Sequence, residues 1–133
     1  MSYLRDRWQR TKINTYFSSW SELLEGVPQG SVLGPLLFNI YLNYLFWICN
    51  DVDICNFADD TTFNTSDQDL NIMIEKLESV SLKAIHWFRL TYMKLNEDKC
   101  HLLVAGHKFG HVWAMVGNAR VSESHKGKLL GYT

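Results

Sequence analysis

Both prolines of this 133-residue chain stand in a single stretch, "GVPQGSVLGPLL", residues 26–37, alongside Gly26, Gly30 and Gly34. A turn that only had to reverse the chain needs no such restriction, since Asn, Asp, Ser or one Gly serves. The stretch therefore predicts a backbone surface shaped for a ligand. It also divides the chain, with strand-like patterns before it and a helix after it.

Upstream, "RTKINTYFSSWSELLEG" mixes β-branched and aromatic residues with polar ones and reads as strand, turn and strand, all edge elements. From Pro35, which suits a first helical position, Leu36, Leu37, Ile40, Tyr41, Tyr44, Leu45 and Ile48 recur at helical spacing. A buried helix is expected. Its length approaches the roughly twenty residues of a membrane span, but Asn39, Asn43 and the missing basic flank argue against one.

Next, "DVDICNFADDTTFNTS" gives two strand-like runs, 52–57 and 61–65, around a tight corner at Ala58, Asp59 and Asp60. Ser66 then opens a long amphipathic helix with Leu70, Met73, Leu77, Ala84 and Phe88 on one face and Asp67 and Asp69 in its first turn. It is expected to end near Thr91. The remainder reads as short strands joined by Gly and Asn turns.

Hydrophobic residues at 47% and aromatics at 14% are the profile of one packed domain, not of a disordered segment. The formal net charge of −1 excludes a global basic field, so a nucleic-acid partner must be argued locally, from Arg5, Arg7, Arg10 and Lys12. Cys49, Cys55 and Cys100 follow no CxxC spacing, and the chain opens without a signal pattern, which points to a reduced, intracellular setting. His107 and His111 have a spacing that zinc uses, but no cysteine pair completes it and structural zinc is not expected.

Adjacent aspartates are common turn residues, so "FADD" by itself carries little. Its setting carries more. Phe57 and Ala58 bring an apolar run to the tip, so Asp59 and Asp60 emerge where a strand meets solvent. Carboxylates placed there suit Mg²⁺, which takes oxygen ligands and keeps several of its waters.

In order and separation, "GVPQGSVLGPLLFNIYLN", "FADDTT", "WFRLTYMKLNEDKC" and "KLLG" resemble the reverse transcriptase of non-LTR, LINE-type retrotransposons, over nearly the whole chain from "YLRDRWQRTKIN" onward. The resemblance implies an α+β fold, a polymerase palm-like antiparallel sheet backed by helices, incomplete here. It implies RNA-directed DNA synthesis with two metal ions about 4 Å apart. An RNA template, a DNA primer and deoxynucleoside triphosphates are the implied partners, with no membrane.

Carried over residue by residue, the resemblance makes Asp59 the principal metal ligand and Asp60 its support. Pro28, Gln29 and Gly30 match the turn that lies along the nascent base pair, where a glycine lets backbone approach nucleotide and template. Lys99 matches the lysine placed near the departing pyrophosphate, with Lys94 close enough to compete. Lys128–Gly131 match the start of the primer-gripping segment.

The resemblance also implies a further catalytic aspartate, upstream of where this chain begins, together with fingers and thumb. No carboxylate here is expected to replace it. Asp53 should lie roughly 20 Å along the strands from Asp59. Asp67 and Asp69 belong at that same far end, and Asp6 falls in a basic connection. Tyr44 and Phe57 depart from the acidic residue and the tyrosine usual at their positions. The expectation is a partial palm domain over 1–133 that does not polymerise alone, from a truncated reading frame or a decayed element copy. Two alternatives remain open: a non-catalytic nucleic-acid-binding remnant, sensitive to Arg5, Arg7 and Arg10, or a functionless relic.

Overall fold

A computed structural model describes residues 3–106 and 111–124. They form two compact units, divided between Leu42 and Asn43. Among the described residues, all sheets are two-stranded and antiparallel.

The first unit begins with a β-ribbon. β1 (Trp8–Gln9) pairs with β4 (Ser21–Glu22), and inside that pair β2 (Lys12–Ile13) meets β3 (Tyr16–Phe17). The expected strand, turn and strand is therefore present, broken into four short pieces. The register explains the break. Gln9 faces Ser21 and Lys12 faces Phe17, so residues 18–20 return across a gap that residues 10–11 span outward. That surplus residue is a bulge, held where Ser18 N donates to Thr11 O (3.0 Å) and Thr11 N donates to Ser18 Oγ (2.9 Å).

After the Gly26 turn comes α1 (Gly34–Ile48). The expected helix exists and starts one residue before Pro35, but the expectation that it is buried is corrected. Leu42 and Leu45 are buried, whereas Leu36, Ile40, Tyr41, Tyr44, Phe46 and Trp47 are exposed. Apolar spacing reports the period of a helix; it does not report what covers it.

In the second unit, β5 (Asp53–Phe57) and β6 (Asp60–Asn64) form a hairpin. α2 (Leu70–Leu90) follows, capped by Asp69, whose carboxylate accepts from Asn71 N at 2.8 Å. The expected cap at Ser66 is thus displaced by three residues, because Asp69 meets the first free amides and Asp67 instead pairs with Lys76 at 3.0 Å. That pairing holds the Asp67 carboxyl below its ordinary range. At the other end Tyr92 N donates to Arg89 O and Met93 N to Phe88 O, a Schellman closure with Tyr92 at a φ of +58° where glycine is usual.

β7 (Trp113–Val116) and β8 (Ala119–Ser122) make a second hairpin against α2. Its inward Ala114 and Val121 join Leu102 and Val112 in a core, with Leu70, Ile74 and Leu77 of α2 packed on it. Burying Leu102, Val112 or Val121 contributes about 1.5–3 kcal/mol each, and the Ala114 methyl about 0.8 kcal/mol. The helix also takes the hairpin's edge: Met115 N donates to Glu78 Oε1 (2.8 Å), and Ser81 Oγ donates to Met115 O (3.2 Å). All three cysteines are free: Cys49 is buried, with its Sγ 3.9 Å from Val80 O, Cys100 is half-buried and Cys55 is exposed. Burial pushes the Cys49 and Cys100 thiols above their ordinary value.

No helix among the described residues is long and apolar enough to cross a membrane. The expected primer-gripping segment, Lys128–Gly131, and His107 of the suggested zinc pair lie outside the described residues.

Candidate active site

The Pro28–Gly30 turn belongs to the first unit. Ser31 N donates to Pro28 O at 3.3 Å and Gly30 sits at a φ of +76°, the pattern of a type II turn with glycine at its third position. Conformation requires this glycine. A Cβ at Gly30 would meet nothing within 4 Å, so the turn presents an open backbone face. The Ser31 hydroxyl donates to Pro28 O (2.6 Å) and accepts from Gly34 N (3.0 Å), which ties the turn to the start of α1. Tyr3 Oη also bonds Ser31 Oγ.

Two further residues shape this turn without being singled out for it in the sequence. A Cβ on Gly34 would approach Ser31 Oγ to 2.9 Å and Pro28 O to 3.1 Å, so only glycine lets the helix start that close to the turn. Arg7 is the second: its Nη2 donates to Glu25 O (3.1 Å) and Gly26 O (2.6 Å). Its Nε and Nη1 are buried without a hydrogen-bond partner. The guanidinium is thus committed to the turn, which corrects the grouping of Arg7 with surface cations. Gly34 stands directly before Pro35 at the helix start, a signal for close packing; nothing local marks Arg7, whose partners lie 18 and 19 residues away.

The carboxylates belong to the second unit. Phe57 faces Asp60 in the ladder, leaving Ala58 and Asp59 as a two-residue turn. Asp60 is thus the first residue of β6 and not part of the corner, while both aspartates are exposed. Ala58 holds a φ of +54°, a left-handed conformation that costs an L-residue about 1–2 kcal/mol. Asn56 braces the returning strand, its Nδ2 donating to Asp60 O (3.1 Å) and Thr61 Oγ1 (2.9 Å).

Of the other carboxylates weighed, Asp53 faces Asn64 at the far end of the ladder, Asp51 pairs with Lys83, Asp69 caps α2 and Asp67 pairs with Lys76. Among the described residues no three His, Cys, Asp or Glu side chains gather as a metal cluster. Lys99 is exposed on a 3₁₀ turn (Glu97–Lys99), and the ion pairs of the described residues do not join it to Asp59 or Asp60. The structure therefore brings together Asp59 and Asp60, and separately Pro28, Gln29 and Gly30.

The family description "Reverse transcriptase (RNA-dependent DNA polymerase)" matches residues 2–133, which includes both the turn and the hairpin. The chain belongs to the reverse transcriptase family. It is similar to the RNA-directed DNA polymerase from mobile element jockey of Drosophila melanogaster, 27% identical over 140 residues. That match covers 99% of this chain and 15% of the relative, so the chain spans about one seventh of that protein's length. No solved structure matches. Polymerases of this family work with divalent metal.

Proposed function

We propose that this chain forms part of the palm of a retrotransposon reverse transcriptase, and that Asp59 and Asp60 supply part of its metal site during RNA-templated DNA synthesis. The observation that carries the reading is the pair of exposed carboxylates at the apex of a hairpin whose turn is held in a left-handed conformation. Two hard oxygen donors at adjacent positions fit Mg²⁺, which retains waters and accepts ligands from more than one segment. Asp59 is the principal ligand and Asp60 the supporting one. When bound, the metal supplies charge stabilisation at the transferring phosphoryl group and activates the primer hydroxyl.

The chain's own residues prepare that site. Asn56 fixes the backbone of Asp60 across the ladder, Ser31 ties the Pro28–Gly30 turn to the start of α1 beside the place of a nascent base pair, and Arg7 holds the Glu25 and Gly26 carbonyls that lead into that turn. Lys99 is assigned to the departing pyrophosphate, where an ammonium offsets developing charge. A two-metal site needs further carboxylates than this pair, and in this reading they come from another segment of a longer polymerase.

The test is a chimaera in which residues 2–133 replace the matched segment of the jockey polymerase, assayed for primer extension on an RNA template with Mg²⁺. Extension is expected, and Asp59→Ala should lower it about a hundredfold or more. Extension indifferent to Asp59→Ala would remove the metal-ligand assignment. The isolated chain should extend no primer; extension by it, abolished by Asp59→Ala, would overturn the incomplete-site part of the reading.

A further inference from the structure

The ribbon of the first unit carries a surface that the polymerase chemistry does not use. Strand alternation puts Trp8, Arg10 and Lys12 on one face of the outgoing side. Lys12 faces Phe17 and Trp8 faces Glu22, so those two join the same face. The bulge at residues 18–20 adds the surplus residue that turns Trp20 to it as well. The ring contacts agree: the Arg10 guanidinium lies 3.9 Å from the centre of the Phe17 ring and 4.6 Å from that of Trp20, and Lys12 Nζ lies 5.5 Å from Phe17. Even so, Trp8, Phe17 and Trp20 remain at least half exposed.

We propose that this face, Arg10, Lys12, Phe17 and Trp20 with Trp8 beside them, docks a single strand of nucleic acid. Exposed rings interleaved with cations match that ligand, since unpaired bases stack on aromatic faces while Arg and Lys meet the phosphates. Aromatic and Arg side chains also serve protein interfaces; the cations at the Phe17 and Trp20 rings, together with the polymerase reading, favour a nucleic-acid strand. Glu22, opposite Trp8, is a carboxylate on the same face, and Ile13 lies on the opposite side, with Tyr16. A duplex is disfavoured because its bases are already stacked on each other. Arg7, committed to the turn carbonyls, takes no part. The inference rests on the polymerase reading for the presence of nucleic acid and adds the place and mode of contact.

The probe is a 12-nucleotide oligouridylate titrated into the full chain, followed by tryptophan fluorescence and by anisotropy of an end label, with a 12-base-pair duplex for comparison. The single strand should bind tighter than the duplex and quench the fluorescence. Two neutralised phosphates give a slope of log K against log salt of about −1.4. Phe17→Ala and Trp20→Ala should each weaken binding about tenfold. Trp20→Phe and Arg10→Lys, which keep ring and charge, should retain most of it, and Lys12→Gln should reduce the slope by about 0.7. Tyr16→Ala, on the opposite face, should bind like the parent.

Equal binding by the parent and all face variants would place the contact elsewhere and overturn the proposal while leaving the polymerase reading intact. Failure of the parent to bind any oligonucleotide, in a chain whose chimaera extends primers, would also overturn it alone; failure in both assays would remove the polymerase reading as well. Trp20→Ala altering the sedimentation coefficient but not oligouridylate binding would make the face a protein interface, against the proposal.

Discussion

β5–β6 and β7–β8 are antiparallel ladders of five and four residue pairs, and each closes through a two-residue turn whose first residue has a positive φ, Ala58 at +54° and Gly117 at +63°. Beyond that they part. β7–β8 uses the glycine its turn favours, buries Ala114 and Val121, and has Met115 held at both N–H and C=O by α2. β5–β6 uses an alanine, leaves Phe57 64% exposed and carries its carboxylates in the open. The hairpin that obeys local rules is the structural one. The one that breaks a rule is the one that bears the candidate chemistry, where strain characteristically collects.

The difference is sharpest in the two interiors. Val121→Asp places a charge in the β7–β8 core and should cost more than about 3 kcal/mol, enough to abolish a cooperative thermal transition of the second unit. Phe57→Thr on the exposed hairpin, an uncharged residue opposite Asp60, should stay within about 0.5 kcal/mol in the same melt. Equal effects would break the comparison.

Next in size is the edge clamp. Glu78→Ala leaves Met115 N without its acceptor and should cost about 2 kcal/mol, read as faster amide exchange along β7, with Glu78→Gln retaining part of the protection. Exchange in β5–β6 should not change.

The turns provide a matched pair. Ala58→Gly relieves the left-handed alanine and should slow exchange in β5–β6 by about 0.5–1 kcal/mol. Gly117→Ala should destabilise β7–β8 by about 1–2 kcal/mol, since it meets both the positive φ and Ile85 Cδ1 at 3.0 Å from the new Cβ. Parallel signs would show that the two turns are not strained as described.

The smallest effect lies between the hairpins, at Asp67. Its folded value is depressed by Lys76, so its contribution is complete above the ordinary aspartate value of 3.8 and is lost as pH falls through the lower folded value. The pair is exposed, and a stability difference between parent and Asp67→Asn should be small, present near neutrality and vanishing in strong acid. Denaturant melts at several pH values measure it.

Much of this architecture is legible in the amino-acid sequence. The two-strand reading around Asp59 and the helix ending at Thr91 rest on local signals, alternation and helical spacing, and both hold. Ser66, Asp67 and Asp69 all have cap chemistry, and only the register of α2 distinguishes them. The exposure of α1 is not legible, because Ile40 or Trp47 looks the same in a sequence whether or not another element covers it. The role of Arg7 is hidden for a related reason: four neighbouring cations share one composition, and a contact with Gly26 depends on the ribbon between them. The carboxylate pair stands out through motif context, while its strained alanine appears only in the backbone angles.

The three free thiols sit in three degrees of exposure: Cys55 on the β5–β6 hairpin, Cys100 packed against the β7–β8 core, and Cys49 buried just after α1. Cys55, on the exposed hairpin, is available to an alkylating reagent at once; Cys100 reacts through partial burial; Cys49 reacts only when its surroundings open. Timed alkylation followed by mass spectrometry thus turns the chain into its own clock: the first mark records solvent contact, and the last records how often the second unit breathes.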